Sequence, residues 1–559
     1  MLAVRRMALD FSRRMTTSSA LKNYKAVNEP VLEYLPGSSE RNQLEAKLKE
    51  YDSKVHEIPI VVGEEEFTNN DAHYQVRPFD KANKLAKYYY ADSKLIQKAI
   101  DVSQSAHRDW ERTSIQQRAD IFLKAADLIA GKYRMDLMAA TMLGQAKTII
   151  QGEIDTACEL ADFYRFNVQW GLELMNVQPL SFETVTNQLS YRSVEGFWAA
   201  IAPFNFTAIS GHLAGAPAFM GNVVLWKPSD TSMLSSYVVF KILREAGVPP
   251  GVINFLPADG PVFGDVVTKS PLLAGINFTG SARTFHVIWQ EVAKNIQNYR
   301  SYPRLIGECG GKNYHFVHSS ADVESVINGT IRSAFEYSGQ KCSACSRMYV
   351  AESLWNPIKE GLIEEHKKIK LGNPLEADTY LSAVIDDKSF NRIKGYLDHA
   401  KSSPNTKVLA GGNADDSKGY FIEPTILETK DPKDKLFQEE IFGPVLSVYV
   451  YPDDQYKDVL KLIDTTSPFA LTGAIYAKDE NVAAEAADTL RFASGNMYIN
   501  DKSTGSVVAQ QPFGGARKSG TNDKAGSPHY LLKFVSPQAI KQTFVPTKEW
   551  TYPYMSAQS

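Results

Sequence analysis

The segment Phe197–Trp226, FWAAIAPFNFTAISGHLAGAPAFMGNVVLW, contains no Asp, Glu, Lys or Arg. A stretch of this length can span a bilayer, but its prolines, glycines and asparagines would leave polar groups without partners in lipid. The segment therefore predicts a buried strand at Trp198–Ala202, a loop, a buried helix, and a second buried strand at Val223–Trp226. We expect no insertion into a membrane.

Predicted strands and helices alternate on the C-terminal side of this segment. The first series comprises the helix Leu234–Ala246, the strand Val252–Leu256, a short helix near Pro261–Thr268, the strand Gly275–Phe278 and the helix Ala282–Ile296. The second series comprises the strands Met348–Ala351, Leu446–Tyr451, Gly473–Tyr476 and Asn496–Ile499, and the helices Leu354–Ile369, Lys457–Asp464 and Val482–Phe492. Such alternation indicates βαβ units and parallel sheets, so we expect an α/β protein with two halves.

The residues before the apolar segment are mostly helical. Apolar residues recur at three- and four-residue intervals over Asp92–Leu143. A further helix is expected over Glu153–Leu172, and the default interpretation of Glu159 and Asp162 within it is a solvated face.

A β-hairpin is predicted at Thr184–Gly196, where apolar and polar residues alternate and Asn187 marks a turn. An isolated hairpin is at best marginally stable in water, so it must pack on something. Leu531–Val545 alternates again and is expected to pair with it. These elements suggest a homodimer or a higher homo-oligomer.

Composition bounds the class of protein. The 559 residues and 62.2 kDa suggest two or three domains, and a net charge of −3 gives no electrostatic case for binding nucleic acid. Four cysteines in so long a chain are not a disulfide framework and fit a reducing compartment.

The N-terminal segment differs from the rest. Residues 1–20 carry four arginines and one acidic residue and end in Thr and Ser, as mitochondrial transit peptides do. We therefore expect a mitochondrial matrix protein. Residues 20–75 are polar and mixed, with one helix expected near Glu40–Asp52, and are predicted to cover a domain surface without forming core.

The candidate nucleophile is Cys342, in the segment EYSGQKCSACSR (Glu336–Arg347). Only a thiolate attacks carbon, so the cysteine needs a cation, a helix N-terminus or a base; Lys341 is adjacent and Glu308 lies upstream. A small buried hydrophobe, a redox dithiol with Cys345 and a metal half-site are the alternatives. A zinc site needs a second ligand pair that the sequence lacks, so we expect no metal.

Two strand ends suit a nucleotide. Phe278–Ser281, with Gly280, ends a predicted strand and opens a helix, where a pyrophosphate would meet backbone amides and the helix dipole. Trp226–Ser229 ends another strand at the same sheet edge and offers the Lys227 ammonium and the Ser229 hydroxyl. Without a G-x-G-x-x-G sequence, each signal is weak alone.

Six short motifs occur in a fixed order. They are PFNF (203–206), WKPSD (226–230), FTGS (278–281), GECGGK (307–312), SGQKCSA (338–344) and EEIFGPV (439–445). The series resembles the aldehyde dehydrogenase superfamily over about residues 77–545. The resemblance implies an aldehyde-dehydrogenase-like fold with a Rossmann-type NAD-binding domain, an α/β catalytic domain and a small β oligomerisation flap.

The resemblance also implies roles for individual residues. Cys342 would be the nucleophile, Glu308 the general base and Asn205 the oxyanion donor, working with the Cys342 amide. The NAD-binding residues would be Lys227, Ser229, Gly280, Ser281, Glu440 and Phe442. The thiolate would add to an aldehyde, hydride would leave for the nicotinamide, and Glu308 would activate the water that hydrolyses the thioester. A carboxylate at Glu308 argues for a carboxylic acid as the product.

A finer resemblance is to the branch that oxidises L-glutamate γ-semialdehyde, formed from Δ1-pyrroline-5-carboxylate, to L-glutamate in proline catabolism. It rests on PFNFT (203–207), GECGGK and STGSVVAQQPFGGAR (503–517). A substrate with an α-carboxylate and an α-amine needs a dedicated anchor. The expected anchors are Ser343, Gly505 and Ser506 for the carboxylate, Glu159 for the ammonium group, and Phe206 and Phe513 for the aliphatic chain.

The expected domain boundaries follow from this comparison. Residues 1–20 form the transit peptide, 21–180 and 198–308 the NAD-binding domain, 309–522 the catalytic domain, and 181–197 with 523–545 the oligomerisation element. The alternatives are a dehydrogenase of another semialdehyde, a cysteine-dependent esterase, and a catalytically silent NAD-binding protein.

Overall fold

The computed structural model describes residues 24–555 and contains two seven-stranded sheets flanked by helices, which confirms the α/β prediction. The leader predicted at residues 1–20 lies outside the described residues. No helix in the described range is both long and apolar enough to cross a membrane.

The first sheet is built around five parallel strands. In spatial order its strands are Arg304–Glu308, Leu273–Thr279, Phe197–Ile201, Val223–Lys227, Ile253–Phe255, Ile60–Val62 and Glu65–Phe67. Ile60–Val62 runs antiparallel to both of its neighbours. Its connecting helices are Thr207–Phe219, Met233–Ala246, Gly260–Lys269 and Ala282–Lys294. The predicted strand–helix–strand arrangement of the apolar segment is confirmed, because a strand buried on both faces needs continuous apolar residues.

The second sheet carries the other half of the chain. In spatial order its strands are Thr406–Ala410, Thr425–Thr429, Val445–Tyr451, Cys345–Ala351, Asn313–Val317, Thr472–Tyr476 and Asn496–Ile499. Its helices are Val323–Phe335, Glu352–Lys368, Asp387–Ser402, Lys435–Gln438, Tyr456–Thr466 and Glu480–Thr489. All the strands and helices predicted here are present. No prediction covered the central strand Asn313–Val317, the helices at 323–335 and 387–402, or the strands Thr406–Ala410 and Thr425–Thr429 at one end of the sheet.

The remaining elements are mostly N-terminal helices and short strand pairs. The helices are Ser39–Asp52, Ser93–Arg112, Ile115–Ala130, Arg134–Gln145, Ile149–Gly152, a π-helical stretch Glu153–Glu159, Leu160–Leu174 and Pro528–Leu531. A three-stranded sheet contains His56–Ile58, Asp80–Tyr89 and Ala72–Arg77, and two-residue strands pair at Ala414–Asp415 with Phe421–Ile422 and at Phe469–Ala470 with Ala516–Arg517. Short 3₁₀ turns lie at Asp230–Ser232, Glu336–Gly339, Asp453–Gln455, Leu532–Phe534 and Pro553–Met555.

Residues 20–75 do more than cover a surface, so that prediction was wrong in part. The helix near Glu40–Asp52 is present, but Ile58, Ile60 and Val62 are fully buried and belong to strands. These strands are only three residues long, too short for their period to stand out in a polar stretch.

The hairpin predicted at 184–196 was also wrong. Val185–Ser193 is one uninterrupted strand, and its only strand partner in the described part of the chain is Val535–Thr543, in antiparallel register. The predicted pairing with the C-terminal segment is thereby confirmed, and the long-range partner replaces the turn at Asn187. The assignment of chain segments to domains stays a prediction.

A buried ion pair connects the two halves. The Lys147 ammonium donates to Asp155 at 2.7 Å, and both side chains are at most 1% exposed. The same ammonium lies over the rings of Phe206, at 4.2 Å from the centroid, and Tyr337, at 4.6 Å. Asp155 also accepts the Thr207 and Ala208 amides at the start of the helix Thr207–Phe219. One pair therefore contacts the segment that carries Asn205 and the segment that carries Cys342.

We expect Lys147→Ala to destabilise the protein by about 3 kcal/mol, because it leaves the Asp155 carboxylate buried without its cation. The measurement is the midpoint of guanidinium unfolding. The matched control is Lys461→Ala, which removes an exposed lysine paired with Asp458 three residues away and should leave the midpoint unchanged. Equal shifts for the two variants would contradict the role of the buried pair.

Candidate active site

Four of the predicted segments lie at the carboxyl ends of the strands of the first sheet. Adjacent parallel strands end at Glu308, Thr279, Ile201 and Lys227, in that spatial order. Asn205 follows the third of these strands by a short loop, and Gly280 donates its amide to the Glu308 carbonyl at 3.0 Å. In open α/β sheets, ligands bind at this edge, so the strand order brings these segments together.

A strained turn precedes the candidate nucleophile. Tyr337, Ser338 and Gly339 are all left-handed, with φ of 51°, 54° and 66°. Two consecutive non-glycine residues in this region cost energy, and surrounding contacts must compensate. The Ser338 hydroxyl donates to Ser382 O at 2.5 Å, the Gln340 side chain accepts the Ile385 amide, and a Cβ at Gly339 would meet Gly443 O at 2.3 Å. This turn aims the following residues into a cavity.

Two asparagines hold the backbone around Cys342. Asn313 donates to the carbonyls of Cys342 and Ala344, at 2.6 and 2.8 Å. Asn205 is buried and donates to Gln340 O at 3.1 Å, which brings its amide within two residues of Cys342. The structure therefore brings the predicted oxyanion donor to the predicted nucleophile segment, although it is bonded to a carbonyl here.

One cavity of about 630 Å³ contains most of the predicted substrate and catalytic residues. Its walls include Cys342, Glu308, Ser343, Gly505, Ser506, Phe513, Phe206 and Glu159. The first and second halves both contribute, so the cavity lies at their junction.

The Glu308 carboxylate is the predicted base. It accepts the Gly515 amide at 3.1 Å, and burial raises its pKa well above that of an ordinary glutamate. A carboxylate with a raised pKa is better matched to proton transfer near neutral pH than a solvated one.

Burial raises the pKa of the Cys342 thiol, and the nearby Glu308 and Glu440 carboxylates raise it further. Lys341 does not counter this, because it is paired with Glu336 at 2.8 Å. The expectation that the adjacent lysine activates the thiol was therefore wrong, and the proton has to be accepted by a base in the cavity.

The redox-dithiol alternative does not fit the second cysteine. Cys345 is 1% exposed within an apolar cluster of the second half, and its thiol donates to Arg347 O. Cys342 and Cys345 are both free thiols. No group of three or more metal-ligating side chains occurs among residues 24–555.

The predicted carboxylate anchors form a small hydroxyl network. Ser343 bonds to the Thr504 hydroxyl at 2.7 Å, and Ser506 bonds to the Tyr498 hydroxyl at 2.5 Å. Gly505 has a φ of 87°, a conformation that suits glycine and leaves the backbone accessible from the cavity. Hydroxyl and amide donors therefore converge on one wall.

Glu159 and Asp162 are not on a solvated face, so their default interpretation was wrong. Glu159 borders the cavity, its carboxylate has no hydrogen-bond partner among the described residues, and burial raises its pKa to about 8. Asp162 is 3% exposed and bonds to Asn28 and to the Glu29 amide. An unpartnered carboxylate beside the cavity suits a bound cationic group.

The predicted cofactor residues lie at the sheet edge next to this cavity. The Lys227 ammonium is withdrawn from solvent and makes one long contact, 3.4 Å to Pro228 O, and burial lowers its pKa. Ser229 bonds only weakly to Thr231, and Ser281 caps the helix Ala282–Lys294. A buried ammonium with so little protein bonding, beside a helix N-terminus, fits a nucleotide with its ribose and phosphates.

Glu440 and Phe442 lie on the other side of that edge. Gly311 donates its amide to Glu440 at 2.9 Å, and a Cβ at Gly310 would lie 2.0 Å from both carboxylate oxygens, so GECGGK needs its glycines here. Phe442 is left-handed, with φ 52°, and its ring packs edge-on against Phe204 at 5.8 Å.

Sequence reasoning missed several residues that support the site. They are Lys147, Asp155, Asn313 and Thr504. Lys147 and Asp155 lie eight residues apart with Glu153 nearer to the lysine, so the sequence does not show which acid the lysine pairs with. Asn313 carried no signal, because its role depends on a contact with a loop 29 residues away.

Comparisons with known proteins agree with this geometry. The family model described as "Aldehyde dehydrogenase family" matches residues 67–540. The chain is 61% identical over 530 residues to the mitochondrial Delta-1-pyrroline-5-carboxylate dehydrogenase of Danio rerio, with 95% of each chain covered, and 59% identical to the human protein of that name, with 95% and 94% covered.

Solved structures show the same likeness. The crystal structure of the Delta-pyrroline-5-carboxylate dehydrogenase from Mycobacterium tuberculosis bound with NAD superposes with a TM-score of 0.92 at 44% identity, covering 95% of this chain and 98% of that one. The fold, the order of the motifs and the family match over residues 67–540 together establish that this chain belongs to the aldehyde dehydrogenase family.

Proposed function

We propose that this protein is an NAD-dependent dehydrogenase that oxidises L-glutamate γ-semialdehyde, formed from Δ1-pyrroline-5-carboxylate, to L-glutamate in proline catabolism. The observation that carries the proposal is the single cavity in which Cys342 and Glu308 share walls with hydroxyl donors and an unpartnered carboxylate. Relatives more than half identical over nearly the whole chain carry the same activity in their names.

The first step forms a bond between sulfur and carbon. The Cys342 thiol, on the wall of the cavity, loses its proton to Glu308, the carboxylate whose raised pKa suits that task. Glu308 then releases this proton to solvent, so that it is again a base at the hydrolysis step. The thiolate then adds to the aldehyde carbon, and the carbonyl electron pair moves onto oxygen.

The oxyanion needs fixed donors. Asn205 lies beside the Cys342 segment, where its side-chain amide exchanges the Gln340 carbonyl for the oxyanion, together with the Cys342 backbone amide. Preorganised donors in a dry site are each worth about 3–4 kcal/mol.

The residues that would hold NAD, which would supply the hydride acceptor, are Lys227, Ser229, Gly280, Ser281, Glu440 and Phe442. Loss of hydride from the tetrahedral carbon restores the carbonyl and leaves a thioester on Cys342. Glu308 then takes a proton from water, the water oxygen attacks the thioester, and the sulfur–carbon bond breaks to release the acid and regenerate the thiolate.

Specificity comes from the anchors. Ser343, Ser506 and the Gly505 backbone donate to the α-carboxylate, Glu159 accepts from the α-ammonium group, and Phe206 and Phe513 flank the chain of the substrate. A site built to bond polar groups rejects analogues that lack them, because its own buried groups are then left unpaired.

The protein is mitochondrial, as the names of its relatives state for those proteins and as the basic residues 1–20 suggest. We also propose a homo-oligomer. In the two-stranded sheet, Val185–Ser193 is mostly half-buried and Val535–Thr543 is largely exposed, with Leu180, Phe182 and Phe544 exposed beside it. A two-stranded sheet needs an apolar surface to pack on, and a second copy of this chain would supply one. We also propose the domain boundaries predicted from the sequence, which fall after residues 180, 197, 308 and 522.

Cys342→Ala should abolish NADH formation from Δ1-pyrroline-5-carboxylate and leave NAD binding intact, because it removes the nucleophile and no cofactor contact. The measurements are absorbance at the NADH band and NAD binding by calorimetry. The matched control is Cys345→Ala, a buried thiol three residues on, which should keep its activity. Turnover by Cys342→Ala would overturn the mechanism, and loss of activity in both variants would favour a dithiol.

The pH dependence should report the raised pKa of Glu308. An ordinary glutamate titrates near pH about 4.3, and burial raises this value, so the fraction of base falls as pH is lowered through a higher range. We expect kcat to fall on the acid side well above pH 4.3. Glu308→Gln should lower kcat about 10²- to 10⁴-fold, because it removes the base from both thiol deprotonation and thioester hydrolysis. Turnover of this variant at the normal rate would exclude Glu308 as the base.

Comparing kcat/KM for three aldehydes should distinguish the residues that bind the α-carboxylate from the residue that binds the α-ammonium group. Succinate semialdehyde keeps a carboxylate but lacks the α-amine, and propanal lacks both groups. We expect kcat/KM for propanal to be about ten-thousandfold below that for L-glutamate γ-semialdehyde. Glu159→Gln should reduce the preference for L-glutamate γ-semialdehyde over succinate semialdehyde. Comparable kcat/KM values for all three aldehydes in the unmodified enzyme would show that the anchors are misassigned.

A further inference from the structure

An extended N-terminal segment forms part of the active-site cavity. Residues 24–35, here called the N-terminal arm, lie outside the family match at 67–540 and contain no helix or strand. Nevertheless Asn28, Glu29 and Val31 line the same cavity as Cys342. The arm therefore supplies a wall that the matched family domain does not.

Buried polar groups hold the arm against the helices of the first half. The Glu29 carboxylate accepts from Arg134 at 2.8 Å and from Arg165 at 2.7 Å. Glu153 accepts the Leu32 amide at 2.9 Å and the Tyr34 hydroxyl at 2.7 Å. Removing either partner would leave a buried charge or donor unpaired, so the arm is a fixed part of the fold.

Asn28 connects this arm to a third element. Its side-chain amide donates to Asp162 at 2.7 Å, on the helix Leu160–Leu174, and to Val508 O at 3.0 Å, and its oxygen accepts from the Gln510 side chain at 3.1 Å. One half-buried side chain thus bonds a helix on one side and the 505–511 loop on the other.

That loop contains Gly505 and Ser506. Its Val508 side chain packs in the apolar core of the first half, but few hydrogen bonds reach the loop from outside. It contains no helix or strand, and Gly505 and Ala509 are left-handed, with φ of 87° and 71°. The Ser506 hydroxyl is bonded to Tyr498, and Val507 bonds within the loop to Gln511 and Gln510. Among the described residues, Asn28 supplies the side-chain bonds to Val508 and Gln510 that come from outside the loop.

We propose that Asn28 is a positioning residue that holds the 505–511 loop in the conformation that binds the α-carboxylate of an amino-acid aldehyde. The inference rests on the proposed function for its substrate, and it adds to that function a specificity element contributed from outside the matched family domain. Asn28 acts through the loop and does not touch the reacting carbon.

The first test compares two substrates. In Asn28→Ala, the ratio of kcat/KM for L-glutamate γ-semialdehyde to that for propanal should fall about tenfold, because the loop loses its two hydrogen bonds to Asn28. The change should lie in KM, with kcat little changed. Gln510→Ala, which removes only the outer bond from an exposed side of the loop, should shift the ratio in the same direction by less.

The matched control is Gln169→Ala. It removes the bond from the Ala26 amide to Gln169, at 2.8 Å, and so loosens the arm without touching the loop. The ratio should stay within about twofold of the unmodified enzyme, a change smaller than one hydrogen bond. Equal losses for both substrates in Asn28→Ala, or no change in the ratio, would overturn the proposal.

The second test does not depend on turnover. Hydrogen exchange of the full-length protein should show faster exchange of the amides in residues 505–511 in Asn28→Ala than in Gln169→Ala. Unchanged exchange there would overturn the positioning role, even if the ratio falls. If the unmodified enzyme fails to oxidise Δ1-pyrroline-5-carboxylate but the exchange difference is present, the proposed function fails and the link between Asn28 and the loop stands.

Discussion

Lys147 and Asp155 meet at 2.7 Å with both side chains withdrawn from solvent, and this pair contacts the segments that carry Asn205 and Cys342. The ammonium lies against Phe206, one residue after Asn205, and against Tyr337 in the turn before Cys342. The carboxylate caps the helix that begins at Thr207. Two buried charges satisfied by each other, by aromatic faces and by helix amides constrain geometry strongly, because any displacement leaves one of them unpaired.

The constraint explains how a strained backbone persists at the nucleophile. Tyr337 and Ser338 occupy the left-handed region, which a free chain would leave. The Lys147 contact on one face and the Ser382 carbonyl on the other hold them there. The result is a cysteine placed on the wall of a cavity by a fixed backbone, at an energetic cost that the surrounding contacts offset.

Burial also changes the pKa values of the ionisable groups at the site. The same dry cavity raises the pKa of the Cys342 thiol, the Glu308 carboxyl and the Glu159 carboxyl. A bound cationic group or a polar carbonyl beside these side chains would shift their pKa values again, because nearby charges and dipoles stabilise one protonation state. The protonation states of these three groups therefore depend on whether substrate is bound.

Much of the architecture could be predicted from the order of residues alone. Continuous apolar runs such as 197–201 and 223–226 report burial on both faces, and motifs such as FTGS place their residues at strand ends, because these signals are local. The identities of Cys342, Glu308 and Asn205 were readable for the same reason, as each lies inside a short motif. The strand Val185–Ser193 shows the limit, since alternation predicted a hairpin with a turn at Asn187, whereas the segment is one strand paired with Val535–Thr543.

By itself, then, the sequence determined the α/β class, the edge of the sheet that carries the site and the residues in its motifs. Only the tertiary structure decided what surrounds them. The burial of Glu159, the pairing of Lys341 with Glu336, the Lys147–Asp155 pair and the contact of Asn28 with Val508 all join residues whose meeting is a property of the folded chain. The pattern of residues within one segment does not reveal which distant residues pack against it. The protonation state of a side chain nevertheless depends on those distant neighbours.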